Sequence, residues 1–125
     1  MNLDIAHKVL CDALRFAPDE LRWHEDKRLW RASLDHWMSI EVRPLRQFGD
    51  GPIYGLILRL VIETDLRSRS CEQWRQRVPF MAVRRPEMFT EETIREVAED
   101  LQIYLDRIAT ASMRHFGRMR LSDSS

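Results

Sequence analysis

Lysine is almost missing from this chain: Lys8 and Lys27 stand alone, and the other 18 of its 20 basic residues are arginines. Cysteine is nearly as scarce. Cys11 and Cys71 have no CxxC spacing, which excludes a disulfide framework or a paired-cysteine zinc site and predicts reduced thiols. Glycine occurs four times, without a GKS/T sequence. Gly49, Gly51 and Gly55 therefore read as a turn and a strand rather than as a phosphate cradle. Long apolar runs are absent: the longest, Leu56 to Ile62, is broken by Arg59 and is too short to span a bilayer. Asp4, Lys8, Asp12 and Arg15 interrupt the opening segment, so no signal-peptide core is expected there. The expectation is a cytoplasmic protein with no membrane partner. Net charge is absent as well, with 20 acids balancing 20 bases. A neutral chain has no global field to draw it to a polyanion, so such binding would need a local patch. Neutrality also favours self-association.

What is present is ordinary globular material. Apolar residues make up 44% and charged residues 32% of 125 residues, enough to bury one core without staples and too apolar for disorder. A single α+β domain over 1–117 is expected, with 118–125 as a frayed tail. Leu3, Ala6, Val9, Leu10, Ala13 and Leu14 follow helical spacing, predicting an N-terminal helix over Asn2–Phe16, capped by Asn2 and stopped by Pro18.

Residues 18–37 could continue as a second helix with Trp23, Trp30, Leu34 and Trp37 on one face. Asp26 or Lys27 would then leave a hole in that face. A hairpin fits better: a strand near Leu21–His24, the turn Glu25-Asp26-Lys27, and a strand Arg28–Leu34 with alternating burial. Asp35-His36 leads into a strand Trp37–Gln47, in which Pro44 marks an edge or a bulge. Phe48-Gly49-Asp50-Gly51-Pro52 is the clearest turn. Ile53–Thr64 is the central strand, with Tyr54, Leu56, Leu58, Leu60 and Ile62 on one face and Ile53, Ile57 and Val61 on the other. Residues 65–89 read as a connector containing a short helix, Ser70–Arg77, and a short strand, Val78–Val83. Thr90 caps a long helix that Gly117 should stop. The predicted architecture is an N-terminal helix, an antiparallel meander of three to four strands, the connector, and a long C-terminal helix. Both terminal helices should pack on one face of the sheet.

Catalytic chemistry is hard to assemble from these residues. Cys11 lies in a regular helical pattern and reads as a buried thiol. Cys71, among Arg67, Arg69 and Arg75, reads either as a helix-start cysteine or as a thiolate of lowered pKa. His7, His24, His36 and His115 are scattered singly, so no catalytic site, metal or cofactor is expected. His24-Glu25-Asp26 reads as a solvated turn, and Glu99-Asp100 as a helix flank.

Two features point to binding. Arg67, Arg69, Arg75, Arg77, Arg84 and Arg85 crowd the connector, with Trp74 and Phe80 interleaved. Arg43 and Arg59 add charge to the sheet face away from the helices. Arginine and tryptophan dominate interface hot spots. The expected role is therefore a small non-catalytic protein-binding module, an immunity protein, secretion chaperone or similar accessory factor. Its partner would be another protein, or a second copy in a homodimer. Nucleic-acid binding through the same arginines is the second reading. A small ligand-binding domain is the third. In a purely structural reading, the same arginines pair with Glu91, Glu92, Glu96, Glu99 and Asp100 of the last helix.

Overall fold

The computed structural model describes residues 1–35, 38–64 and 74–123, with 63, 64, 74–76 and 109–123 described through their backbone. Two helices and a five-stranded antiparallel sheet make up an α+β fold. The first helix, α1 (Leu3–Leu14), starts where Asn2 Oδ1 accepts the Ile5 N–H at 2.9 Å, satisfying one of the donors a helix N-terminus leaves free. It ends on Arg15, whose φ of 61° places it in the left-handed region, while the Phe16 N–H donates to the Cys11 carbonyl at 2.9 Å. That conformation costs an L-residue roughly 1–2 kcal/mol that glycine escapes, set against a larger chain entropy for glycine of about 0.5–1 kcal/mol. Arg15 is exposed, so Arg15→Gly is expected to stabilise the fold by up to about 1 kcal/mol. The urea midpoint should rise with an unchanged slope.

The strands follow one another as neighbours, β1 (Arg22–His24), β2 (Leu29–Asp35), β3 (Met38–Arg46), β4 (Ile53–Thr64) and β5 (Trp74–Val83). Residues 21–35 thus form the hairpin, with Trp23 opposite Trp30 and the two indoles 5.1 Å apart, edge to face. Pro44 sits beyond Val42, the last β3 residue paired with β2, and next to a register shift at Leu45/Arg46. Its missing N–H is harmless there.

Three expectations need correction. The connector is not a short helix followed by a short strand. Residues 74–83 form one strand, and 70–73 lie outside the described residues. Arg75, Arg77, Pro79, Met81 and Val83 alternate with Gln76, Val78, Phe80 and Ala82, and pairing with Gly55–Thr64 of β4 outweighs the weak helical propensity of the first four residues. The meander therefore has five strands instead of three or four. Second, Ile53 does not share a face with Ile57 and Val61. Arg46 pairs with Ile53 while Leu45 pairs with Gly55, so Tyr54 is an extra residue, and the bulge turns Ile53 into the core. Third, Gly117 does not stop the last helix, α2, which runs Glu91–Asp123. Glycine inside a helix costs about 1 kcal/mol but blocks no hydrogen bond.

One cluster joins Ala6, Leu10 and Leu14 of α1, Ile94, Ala98 and Leu101 of α2, and Ile40, Val42, Leu56, Leu58 and Leu60 of the sheet. A single 3-10 turn, Pro86–Met88, leads into α2. The Thr90 N–H donates to Thr93 Oγ1 at 3.4 Å, and the Thr93 and Ile94 N–H groups donate back to the Thr90 carbonyl. Phe89, just before this cap, is buried in the same cluster as Ile94, a staple that fixes the entry angle of the helix. No helix is long and apolar enough to cross a membrane among the described residues.

Candidate binding surface

Strand alternation sorts the sheet residues into two sets. One set belongs to the cluster shared with the helices; the other forms an open face. Register builds that open face row by row. Arg22, Arg31, Glu41, Arg59 and Pro79 lie directly opposite one another across the five strands. Glu41 thus stands between two arginines, the placement in which opposite charges on adjacent strands attract, while Arg22 and Arg31 repel. The next row is His24, Leu29, Arg43, Ile57 and Met81, with Leu29 flanking Arg43 beyond the last paired residue of β2, and the one after it runs Leu45, Gly55 and Val83. On the other side of the charged row, Ser33, Ser39, Val61 and Arg77 align.

Exposure divides the face. Leu29, Ser39 and Val61 are buried despite lying away from the helices. Met81 is 64% and Val83 44% exposed, beside half-buried Leu45 and Ile57. Arg43 and Arg77 are exposed around this apolar strip, and Arg84 and Arg85 follow directly after β5, also exposed. Phe48, in the turn at the end of β3, is 98% exposed, with a left-handed φ of 54°. Gly55 allows the strip to be flat: a Cβ there would come within 3.0 Å of the Ala82 carbonyl oxygen and of Leu45 Cδ1.

Of the nine residues singled out in the sequence, the structure brings Arg43, Arg59 and Arg77 onto one face and puts Arg84 and Arg85 at its β5 end. Arg75 and Trp74 occupy register positions opposite Glu63 and Thr64, while Arg67 and Arg69 lie outside the described residues. The interleaving of aromatics with arginines does not survive folding. Phe80 belongs to the opposite set, packing edge to face on Tyr104 of α2 with ring centres 5.7 Å apart. Residues adjacent in a strand point to opposite faces, so linear proximity misled. The expected pairing of these arginines with α2 fails for Arg77 in the same way, because α2 packs against the other side of the sheet. Charge is therefore polarised. The open face carries Arg22, Arg31, Arg43, Arg59 and Arg77 against Glu41 among residues with described side chains, while Glu91, Glu92, Glu96, Glu99 and Asp100 are exposed on α2.

Met81 and Val83 were missed as surface residues because Pro79 and Pro86 made the segment look like a connector. The signal was the alternation from Arg75 to Val83.

A second concavity lies beside α1. A groove of about 630 Å³ is lined by Asp4, His7, Leu21, Arg22, Trp23 and Trp30, and one of about 380 Å³ adjoins it through Leu3 and Trp23. His7 Nε2 is 2.8 Å from the Leu21 carbonyl, so that nitrogen carries the proton and donates. The Cys11 sulfur lies 3.5 Å from the same nitrogen. Burial pushes the Cys11 thiol up, with the Asp12 and Glu20 carboxylates adding to the rise. A thiol so placed stays protonated beside a nitrogen that is already a donor, the reverse of an activated nucleophile. Among the described residues no group of three or more His, Cys, Asp or Glu side chains gathers as a metal site. No family model matches the chain, and neither a curated protein nor a solved structure is similar to it.

Proposed function

We propose that this chain is a small non-catalytic protein-binding module, an accessory factor in the manner of an immunity protein or a secretion chaperone, that docks an acidic partner on its open sheet face. The observation behind this reading is an apolar strip, exposed Met81 and Val83 beside half-buried Ile57, ringed by Arg43, Arg59, Arg77, Arg84 and Arg85. An apolar centre with a cationic rim is the usual anatomy of a protein interface, the centre supplying affinity and the rim supplying orientation and association rate. Arg75, whose register position opposite Glu63 falls in the same set as Arg77, would extend the rim. The acids of α2 lie on the far side of the sheet, and among residues with described side chains Glu41 alone offsets the arginines of these rows.

Reversing Arg43 and Arg77 to glutamate should weaken partner capture at least about tenfold, an effect of about 1.4 kcal/mol. Reversal of Glu96 on α2 should leave capture intact. Quantitative mass spectrometry of proteins retained from native lysate by each variant measures both. Equal retention by wild type and R43E/R77E refutes the assignment.

The excess of arginine over carboxylate on this face also favours a nucleic-acid reading. Single-strand binding, however, draws much of its affinity from bases stacked on aromatic rings. No Phe, Tyr or Trp side chain stands in the paired rows of the open face among the described residues, and Trp30 is buried. Titration of a single-stranded oligonucleotide at increasing salt separates the two: a steep fall in affinity supports the second reading, and no binding at low salt ends it.

A further inference from the structure

We propose that two copies of this chain dock by mutual insertion, the Phe48 ring of each entering the aromatic groove beside α1 of the other. Packing within the described residues does not account for Phe48. It is 98% exposed, so it supports no core, and its φ of 54° is followed by the 73° of Gly49. Two positive φ values in succession are the signature of a type I′ turn, whose first central position is ordinarily Asn, Asp or Gly. A bulky side chain is strained there. The Gly51 N–H on the Gln47 carbonyl at 2.8 Å and the Asp50 N–H on the Phe48 carbonyl at 2.7 Å hold the turn closed. A strained backbone that presents a bare ring to water marks an anchor for something outside the fold.

A receptor for that ring is present on the same chain. The two concavities beside α1 join at Leu3 and Trp23 into one furrow. Pro18, Leu21, Trp23 and Trp30 wall one end, and the turn itself closes the other through Gly49 and Asp50. Trp23 is fixed as a wall by its indole N–H, which donates to Glu25 Oε2 at 2.5 Å, and by its edge-to-face contact with Trp30. A cavity of about 150 Å³ takes a benzene ring, so the groove of about 630 Å³ admits a Phe ring with room for the adjoining turn. Plug and receptor at opposite ends of one furrow make the contact self-complementary. Two furrows laid antiparallel about a twofold axis near Trp23 bring each Phe48 to the other's Trp30 end, and the pair closes with no site left over. Charge agrees with that alignment. Asp50 travels with Phe48 to the end that holds the other copy's Arg22, while Arg28 and Arg46 are brought to its Asp4. Acids and bases line each end in equal number, so no net charge opposes the contact. A buried Phe covers about 150–250 Å², and two insertions with the walls they cover amount to roughly 800 Å², the size of a weak, reversible association. None of the arginines rimming the open face takes part, so this docking stands independently of the partner-binding reading.

Sedimentation equilibrium of the full chain from micromolar to millimolar concentration should show a reversible species of twice the 15.0 kDa chain mass. Phe48→Asn restores a residue that this turn favours. It should leave the urea midpoint unchanged or higher while weakening dimerisation about a hundredfold, because both rings are lost. A purely structural role for the ring would instead lower the midpoint. Phe48→Trp should retain the dimer. Arg22→Glu should weaken it about tenfold, and adding Asp50→Arg in the same chain should recover it, the rescue expected of two copies aligned in this way. The indole N–H resonance of Trp23 should shift with chain concentration in the wild type and stay fixed in Phe48→Asn. A 15.0 kDa monomer at every concentration overturns the proposal. So does a dimer that Phe48→Asn leaves intact, or a Trp23 indole that shifts with added benzyl alcohol but not with chain concentration, which would make the groove a small-ligand site.

Discussion

Trp30→Ala is expected to destabilise the fold by about 3–5 kcal/mol, the cost of truncating a large buried aromatic. Trp30 is 3% exposed and stands where β2, β1 and α1 converge. Its ring meets Trp23 edge to face at 5.1 Å and His7 at 6.0 Å, and its backbone aligns with Val42 in the centre of the sheet. Removing the indole strips contacts from three elements at once, and the pleated strand cannot collapse to refill the space. The adjoining groove lets water reach the void, which moderates the loss without abolishing it. Domains of this kind are stable by about 5–15 kcal/mol, so roughly a fifth or more of the margin is at stake. Urea unfolding followed by far-ultraviolet circular dichroism reads the effect directly. A loss below about 1 kcal/mol, the ordinary size of a surface change, would contradict the central position given to this ring. Trp30→Phe keeps a ring in the cluster and should lose less.

Gly51→Ala is expected to cost about 2–3 kcal/mol through backbone strain rather than lost packing. A Cβ at position 51 would lie 2.1 Å from the Gln47 carbonyl oxygen, inside any tolerable contact, and that neighbour is backbone that cannot rotate away. The same carbonyl accepts the Gly51 N–H at 2.8 Å, and the Gly51 carbonyl accepts Arg46 Nε–H at 3.0 Å. Relieving the clash therefore breaks the closure of the β3–β4 hairpin, which aligns nine residue pairs. Gly49→Ala serves as the comparison. Gly49 has a φ of +73° but nothing within 4 Å of its would-be Cβ, so only conformational strain of about 1–2 kcal/mol applies. The two thermal midpoints, measured side by side, should fall in that order. Equal losses would show that steric contact at Gly51 does not control the turn.

Much of the fold was legible in the chain because local chemistry and global packing agree there. Asn2 caps α1, the Phe48–Pro52 segment turns, and the apolar period of two from Leu56 to Ile62 makes a strand in any context. The hairpin of residues 21–35 could be chosen over a helix because a polar residue would have interrupted the helical stripe. The face of Ile53 could not be read, since a single extra residue at Tyr54 inverts every later parity and leaves no mark in composition. The strand at 74–83 was obscured by its prolines, which local rules treat as breaks and an edge strand tolerates.

For the binding surface the division is sharper. Composition by itself decided that the chain is arginine-rich, neutral and nearly without lysine and cysteine, because these are counts and need no coordinates. Which arginines stand together was decided only by strand register, which sets Arg43, Arg59 and Arg77 from three separate strands on one face and sends Phe80, three residues from Arg77, to the other. Contact across a sheet depends on pairings between residues far apart in the chain. A linear sequence carries the parity of each strand but not the alignment between strands, and that alignment makes the patch.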